Sequence, residues 1–393
     1  MLAFGTRPEA IKMAPVYLAL RAQKSAFETL CCVTAQHRGM LDQMLRTFEI
    51  VPEIDLDLMR SGQDLTDVNA GVLLAMRPVL ADLRPDLILV HGDTTTTMAS
   101  ALAAFYAGIP VGHVEAGLRS ADMTAPFPEE LNRRVTSMVA RYHFAPTETN
   151  RDNLLAEGCD PGAVIVTGNT VVDAMTRILA RIDSKPSLRR AVEVRLNENL
   201  AFDWRKARFV LVTCHRRETI SSGGMQRICS ALRALAGSFP ETHFVYPLHA
   251  NPVIRETVGR ELAGFDNVHL VEPLPYDVFL YVLRSCHCAL TDSGGLQEEG
   301  PVLHKPVLVM RNVTERPEAV AAGGVRLVGT EPAGVIAAMS ALLNDARTYS
   351  AMSAAVNPYG DGSAAQRIAA FLATQGRPMP DGAPTLFSSA SAR

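Results

Sequence analysis

At 393 residues the chain is too long for one ordinary core and suits two domains. A net charge of -3 supplies no global field for nucleic acid or an anionic membrane, so any phosphate must be held by local arginines and lysines. The 48% of hydrophobic residues fall in short runs, none near the length of a membrane span, which excludes a membrane-spanning or wholly disordered chain. In chain order, "MLAF" reads as a strand meeting Gly5, and "TRPEAIKMAP" as the helix that follows. A strand handing over to a helix is a common anion site. Here it has one glycine, where a dinucleotide loop has three, together with Arg7 and Lys12. Arg7, Pro8, Glu9 and Lys12 also interrupt any secretory h-region, so a soluble cytoplasmic protein is expected.

The apolar runs "TLCCVTA", "DLILVHG", "IPVGHVE", "YHFAP" and "AVIVTG" follow, separated by stretches of helical period. The second half repeats the pattern with "RFVLVTC", "HFVYPLH", "VHLVEP", "HCALTD", "KPVLVM" and "VRLVG". Near-continuous apolar strands alternating with helices predict an α/β protein: two doubly wound, Rossmann-like domains of about six parallel strands each. Ligands in such sheets bind beyond the carboxyl ends of the strands, in this case in a central cleft between the domains. The polar stretch Ala180 to Arg208 carries no strand and reads as helix plus connector. The expected division is 1–172, 173–357, a final helix over 358–375 that Ser363 would cap, and a disordered Pro/Ser/Ala-rich tail over 376–393. The 7 cysteines sit in or beside apolar runs and are expected to be reduced core thiols. Cys286-His287-Cys288 is too closely spaced for the usual zinc patterns and lacks a partner pair, so no metal is expected.

Several stretches that follow strands carry chemistry. In "TDSGGLQEEGP", Ser293, Gly294 and Gly295 would open a helix whose free N–H groups a diphosphate can approach, with Glu298 and Glu299 close behind for ribose hydroxyls. "HGDTTTT" puts Asp93 at a strand end, where it either caps the next helix or serves a cleft. "HVEAGLRS" does the same with Glu115, and "PFPEELNRR" adds Glu129 and Glu130. Carboxylates gathered in one cleft raise each other's pKa and become usable acids near neutrality; the alternative is ion pairing with Arg119, Arg133 and Arg134. "VTCHRRE" contributes His215 beside Arg216 and Arg217, and Arg316-Pro317 echoes Arg7-Pro8. Arginine grips phosphate in a fork that lysine cannot form.

Taken together, "FGTRPEAIKMAP", "VTAQHR", "VHGDTTTT", "PVGHVEAGLR", "FPEELNR", "VTGN", "HRRE", "TDSGGLQEE", "TERPEA" and "NPYGDG" resemble the non-hydrolysing UDP-N-acetylglucosamine 2-epimerases over nearly the whole chain. The resemblance implies a glycosyltransferase-B-like fold, a cytoplasmic homodimer and a last helix crossing back to the first domain. It also implies C2 epimerisation of UDP-GlcNAc to UDP-ManNAc for surface polysaccharide, with no cofactor and no nucleic-acid or membrane partner. Carried over motif by motif, Asp93, Glu115, Glu129 and His215 take catalytic positions. Arg7, Lys12, Leu274, Phe279, Ser293, Gly294, Gly295, Glu299 and Arg316 take substrate-binding ones. Some bacterial members bind a second, activating UDP-GlcNAc. Gln36, Glu130, Arg216 and His249 fit that site, whereas Gly39 and Gly62 stand where Gln and Arg can occur. Other departures are Cys214, Asn312-Val313 and a first strand a few residues shorter than in family members.

The implied chemistry breaks the anomeric C1–O bond, which acidifies C2–H, and passes through a 2-acetamidoglucal. UDP is then re-added after protonation on the other face. Nothing is oxidised at C4, so no nicotinamide is required. Three readings stay open beside this one: a hydrolysing epimerase that releases ManNAc and UDP, a glycosyltransferase on the same frame, and a non-catalytic sugar-nucleotide-binding protein.

Overall fold

The computed structural model describes residues 1–36, 38–120, 122–214, 223–248 and 252–375. The apolar runs form two parallel sheets. The first holds β1 Leu2–Phe4, β2 Cys31–Val33, β3 Ile54–Asp55, β4 Ile88–His91, β5 Val111–Val114, β6 Tyr142–Ala145 and β7 Val164–Val166, in the order β3-β2-β1-β4-β5-β6-β7. The second holds β8 Arg208–Thr213, β9 Thr242–Pro247, β10 Val268–Val271, β11 Cys288–Thr291, β12 Val307–Val309 and β13 Val325–Leu327, in the order β10-β9-β8-β11-β12-β13. Six strands were expected in each half. The extra one, β3, is a half-exposed edge pair, Ile54 and Asp55, too short to show as an apolar run.

Between the strands lie α1 Arg7–Ala22, α2 Arg38–Phe48, α3 Leu65–Leu83, α4 Thr95–Tyr106, α5 Glu129–Val139, α6 Glu148–Ala156, α7 Thr170–Ser184 and α8 Pro186–Asn199. The second lobe adds α9 Gly224–Ser238, α10 Pro252–Glu261, α11 Tyr276–Ser285, α12 Gly294–Val302, α13 Pro317–Ala321, α14 Pro332–Asn344, α15 Ala346–Ser353 and α16 Ala364–Gln375. None of the helices among the described residues is long and apolar enough to cross a membrane.

Alternation along each strand sends neighbouring side chains to opposite cores. Leu2, Phe4 and Leu89 enter one core, while Ala3, Ile88 and Val90 enter another under α3 and α4. Phe209, Leu211 and Val307 join the first of these cores from the second sheet, so one apolar body runs between the lobes. Helix α7, in which the expected boundary at 172–173 falls, packs against α1 and α16 on one side and α11 and α12 on the other. The polar stretch from Ala180 is the end of α7, then α8, then a strandless connector.

Helix α16 packs back on α1 and α7. Its start differs from expectation: Asp173 of α7, rather than the Ser363 side chain, accepts from the Ala364 and Ala365 N–H groups at 3.2 and 2.8 Å. A cap supplied from another helix fixes where α16 docks as well as where it begins. The described cysteines are free thiols, all buried except the half-buried Cys159.

Two imidazoles of the first sheet are buried. Burial pushes His113 down to about 3 and His143 down to about 4. Both pKa values lie below the unfolded one, so their contribution to stability is complete above about pH 6.5 and is lost as pH falls towards 4. The midpoint of urea unfolding is therefore expected to fall on acidification from pH 7 to pH 5, with a slope approaching about 1.4 kcal/mol per pH unit for each imidazole. A midpoint unchanged over that interval would contradict the assignment.

Candidate active site

Strand order reverses between β1 and β4 and again between β8 and β11, and motifs follow the carboxyl ends of these four strands and of β5 and β12. Gly5 ends β1 against the neighbouring strand. A Cβ there would lie 2.0 Å from Thr34 Oγ1, so the chain passes where only glycine fits. Glu9, 1% exposed, then folds back on the turn. Its Oε2 accepts from Gly5 N at 3.0 Å and Thr6 N at 2.7 Å, and its Oε1 accepts from Thr94 and Thr97 hydroxyls at 2.7 and 2.9 Å. Arg7 and Lys12 are thereby carried on a braced helix start.

At the end of β4, Thr94 caps α4 by accepting from Thr97 N at 3.1 Å. That releases Asp93 from the capping role, and its carboxylate accepts from Arg133. Asn132 Nδ2 donates to the Asp93 carbonyl at 2.9 Å, tying the start of α5 to the strand end. Glu129 is the first residue of α5, half-buried and one turn before Asn132 and Arg133. Glu130 beside it is fully buried. It accepts from Arg133 at 2.8 Å, Arg134 at 2.9 Å and Ser120 N at 3.1 Å.

Glu115 follows β5 in a left-handed conformation, φ +66. Such backbone in a non-glycine residue is costly and concentrates at functional sites. Gly117, φ +91, shapes the same turn, and a Cβ on it would lie 2.1 Å from the Asn150 carbonyl oxygen. Gly117→Ala is therefore expected to destabilise the protein by about 1–3 kcal/mol through clash and backbone strain, read as a lower urea midpoint. An unchanged midpoint would show that the turn relaxes freely.

The lobes meet through a buried row of alternating charges. His91 Nε2 lies 3.6 Å from Glu115, Glu115 pairs with Lys12, and Lys12 Nζ lies 2.7 Å from Glu298 of α12. Glu298 then accepts from Arg316, which pairs with Glu315, and Glu315 lies 3.1 Å from Arg311. Burial alone would raise the Glu115 carboxyl, but Lys12, His91 and Arg316 outweigh it and hold the group ionised, well below the usual range. Glu299 behaves oppositely: burial pushes its carboxyl up, while Tyr276, donating at 2.7 Å, only partly compensates. Arg7 lies over the Tyr276 ring at 5.7 Å, and Thr147 donates to Glu318 at 2.7 Å, so two further pairs bridge the gap.

On the second lobe Ser293 is the N-cap of α12 without a side-chain cap bond. Thr291 Oγ1 accepts from Ser293 N at 2.9 Å, and Gln297, itself fixed by Thr314 at 2.6 Å, donates to the Ser293 carbonyl at 3.2 Å. Among the described residues a Cβ on Gly295 would find only Ser293 Oγ, at 3.8 Å, so on their side the helix start beside Gly294 has room for a ligand. Leu274 is buried and Phe279 half-buried on either side of Tyr276. Gln36 accepts from the Thr96 hydroxyl at 2.8 Å. His215, Arg216 and His249 lie outside the described residues.

The structure thus joins Lys12 directly to Glu115, links both to Arg316 through Glu298, and places Arg7 within the field of Glu299. Four participants were not singled out from the sequence: Glu9, His91, Tyr276 and the central role of Glu298. Glu9 had a visible signal, since Thr6-Arg-Pro-Glu9 is the spacing of a capping box. Glu298 had none, because only the facing of the lobes selects it over Glu299.

Comparison with known proteins bears on this arrangement. The family model described as UDP-N-acetylglucosamine 2-epimerase matches residues 19–373. A UDP-N-acetylglucosamine 2-epimerase of Yersinia pestis is 53% identical over 94% of this chain and 96% of its own. That of Escherichia coli K12 is 50% identical over the same shares. Among solved structures, the UDP-GlcNAc 2-epimerase of Neisseria meningitidis bound to UDP-GlcNAc is 45% identical, with TM-score 0.90 over 95% of this chain and 99% of that one. The Methanocaldococcus jannaschii enzyme in complex with UDP-GlcNAc and UDP is 30% identical, with TM-score 0.82 over 95% and 99%.

Proposed function

The chain belongs to the UDP-N-acetylglucosamine 2-epimerase family, and from that premise we propose how its own residues interconvert UDP-GlcNAc and UDP-ManNAc. The nucleotide lies across the cleft. The open start of α12 at Ser293–Gly295 and Arg316 take its diphosphate from one side, and Arg7 and Lys12 take it from the other. Phe279 lies against the uracil with Leu274 offering backbone contact, and Glu299 accepts from the ribose.

Asp93, Glu115 and Glu129 work at the sugar. One carboxylate removes the C2 proton while the C1–O bond breaks. The C–H electron pair becomes the C1=C2 bond, and the C1–O pair leaves with UDP. The opposite face of the glucal is then protonated at C2, and UDP re-attacks C1. Arg7, Lys12, His215 and Arg216 stabilise the charge that gathers on departing UDP. Closure of the two lobes keeps water from trapping the glucal. The reaction runs in the cytoplasm and feeds polysaccharide assembly.

The observation that carries this reading is the buried row from Glu115 through Lys12 to Glu298 and Arg316. It links Glu115 and Lys12 of the acid-bearing lobe to Glu298 and Arg316 of the phosphate-binding lobe through the Lys12–Glu298 pair. Incubation with UDP-GlcNAc in heavy water tests it. Deuterium at C2 together with UDP-ManNAc is the expected result. Free ManNAc would indicate hydrolysis, and a substrate left unlabelled would overturn the reading.

The chain is also proposed to act as a homodimer. Leu74 of α3, Phe105 and Tyr106 of α4 and Met138 of α5 are exposed on adjacent helices, an apolar surface suited to a second copy. Sedimentation equilibrium is expected to give twice the chain mass.

A further inference from the structure

Several buried polar atoms among the described residues lack a hydrogen-bond partner, and one of them bears on the cleft. Tyr359, in the "NPYGDG" segment, is 3% exposed, and its hydroxyl makes no hydrogen bond to any described residue. A phenol cut off from both water and a partner costs stability, and native proteins keep few of them. The backbone that carries it is pinned on several sides. Tyr359 N donates to Asn357 Oδ1 at 3.0 Å, and its carbonyl accepts from Asn169 N at 2.8 Å. Gly360, φ +101, passes so near Gly168 that a Cβ on it would lie 3.3 Å from the Gly168 Cα. The anchor is braced further by Asn357 Nδ2, which donates to the Gly360 carbonyl at 2.9 Å.

The charges acting on this hydroxyl come from both lobes: Glu298 of α12, Arg316, Glu318 of α13 and Glu115 after β5. Glu298 lies on α12, the helix that Ser293 caps, and Glu115 is one of the candidate acids. We infer that the Tyr359 hydroxyl is a hydrogen-bond donor held in reserve for the diphosphate of the bound nucleotide sugar, at the oxygen on which charge grows as UDP departs. The inference rests on the reading of the cleft given under Proposed function. Burial, reinforced by Glu298, holds the phenol protonated far above neutrality, so it donates and does not act as a base. A donor fixed before the reaction and aimed at developing charge favours the transition state over the ground state.

Tyr359→Phe removes the hydroxyl and keeps the ring. It is expected to lower kcat about tenfold to a hundredfold and to weaken UDP binding by about tenfold, as for a hydrogen bond to a charged group. The thermal midpoint of the unliganded protein is expected to stay level or rise, since no native hydrogen bond is lost. A kcat and a UDP affinity within twofold of wild type would overturn the inference. So would a lowered midpoint with UDP affinity intact, which would mean that the hydroxyl serves the fold. Wild-type protein in the heavy-water assay is the control. If it fails to label C2, the epimerase reading falls, and UDP calorimetry on the two proteins still decides the role of Tyr359.

Discussion

Glu115→Gln is expected to lower kcat for C2 inversion by about 10²–10⁴-fold while the protein still folds. The substitution keeps shape and removes both the charge and the ability to accept a proton. Glu115 lies at the end of β5 in a left-handed conformation that the chain adopts at a cost, and its carboxylate is held ionised by Lys12, His91 and Arg316. A carboxylate kept ionised inside a buried cleft is ready to take a proton without first losing one. The neutral amide also leaves Lys12 with Glu298 as its remaining carboxylate partner, so the ammonium shifts towards the second lobe. The checks are steady-state turnover, C2 deuterium incorporation and the circular dichroism spectrum of the variant. Turnover within threefold of wild type, in a folded variant, would remove Glu115 from the reaction and leave Asp93 and Glu129 as the acids.

The second large effect is on stability. Glu130→Ala is expected to destabilise the protein by about 3 kcal/mol, the lower end for a broken buried pair because Arg134 retains access to water. Glu130 is fully buried and serves Arg133, Arg134 and the Ser120 N–H together. Burial would raise its carboxyl, but Arg134, Ser120 N and Arg133 outweigh burial and hold it below the usual range. Its contribution is thus present above the ordinary glutamate range and is lost as pH falls through it. The loss should reach the chemistry as well, because Arg133 holds the Asp93 carboxylate with its other nitrogen. The expected pattern is a lower urea midpoint together with a lower kcat. A variant as stable as wild type that has lost only its response to added UDP-GlcNAc would instead favour the regulatory site that this position resembles.

How far the site could be read from the sequence depends on whether its residues act through neighbours along the chain or across the fold. Ser293 and the two glycines after it were legible because a strand, a small-residue turn and a helix follow one another without a break. The dual meaning of Asp93 was visible, but its resolution was not. Thr94 takes the cap, and Arg133, 40 positions away, takes the carboxylate. Strand β3 was hidden because two residues at a sheet edge leave no periodic signature. The cap of α16 was misplaced onto Ser363 because Asp173 lies 191 positions from the N–H it accepts from.

The sequence by itself determined the two doubly wound sheets, the position of each motif at a strand end and the kind of ligand those motifs suit. Each of these depends on hydrophobic period, turn chemistry and short-range spacing, which are local properties of the chain. Only the tertiary structure decided which charges face one another: that Lys12 spans Glu115 and Glu298, that Glu130 is committed to arginines, and that the Tyr359 hydroxyl is buried with no hydrogen-bond partner among the described residues. Ionic and hydrogen-bonding partners are chosen by distance in space and by the loss of water around them. Both arise only when segments far apart in the chain are packed together.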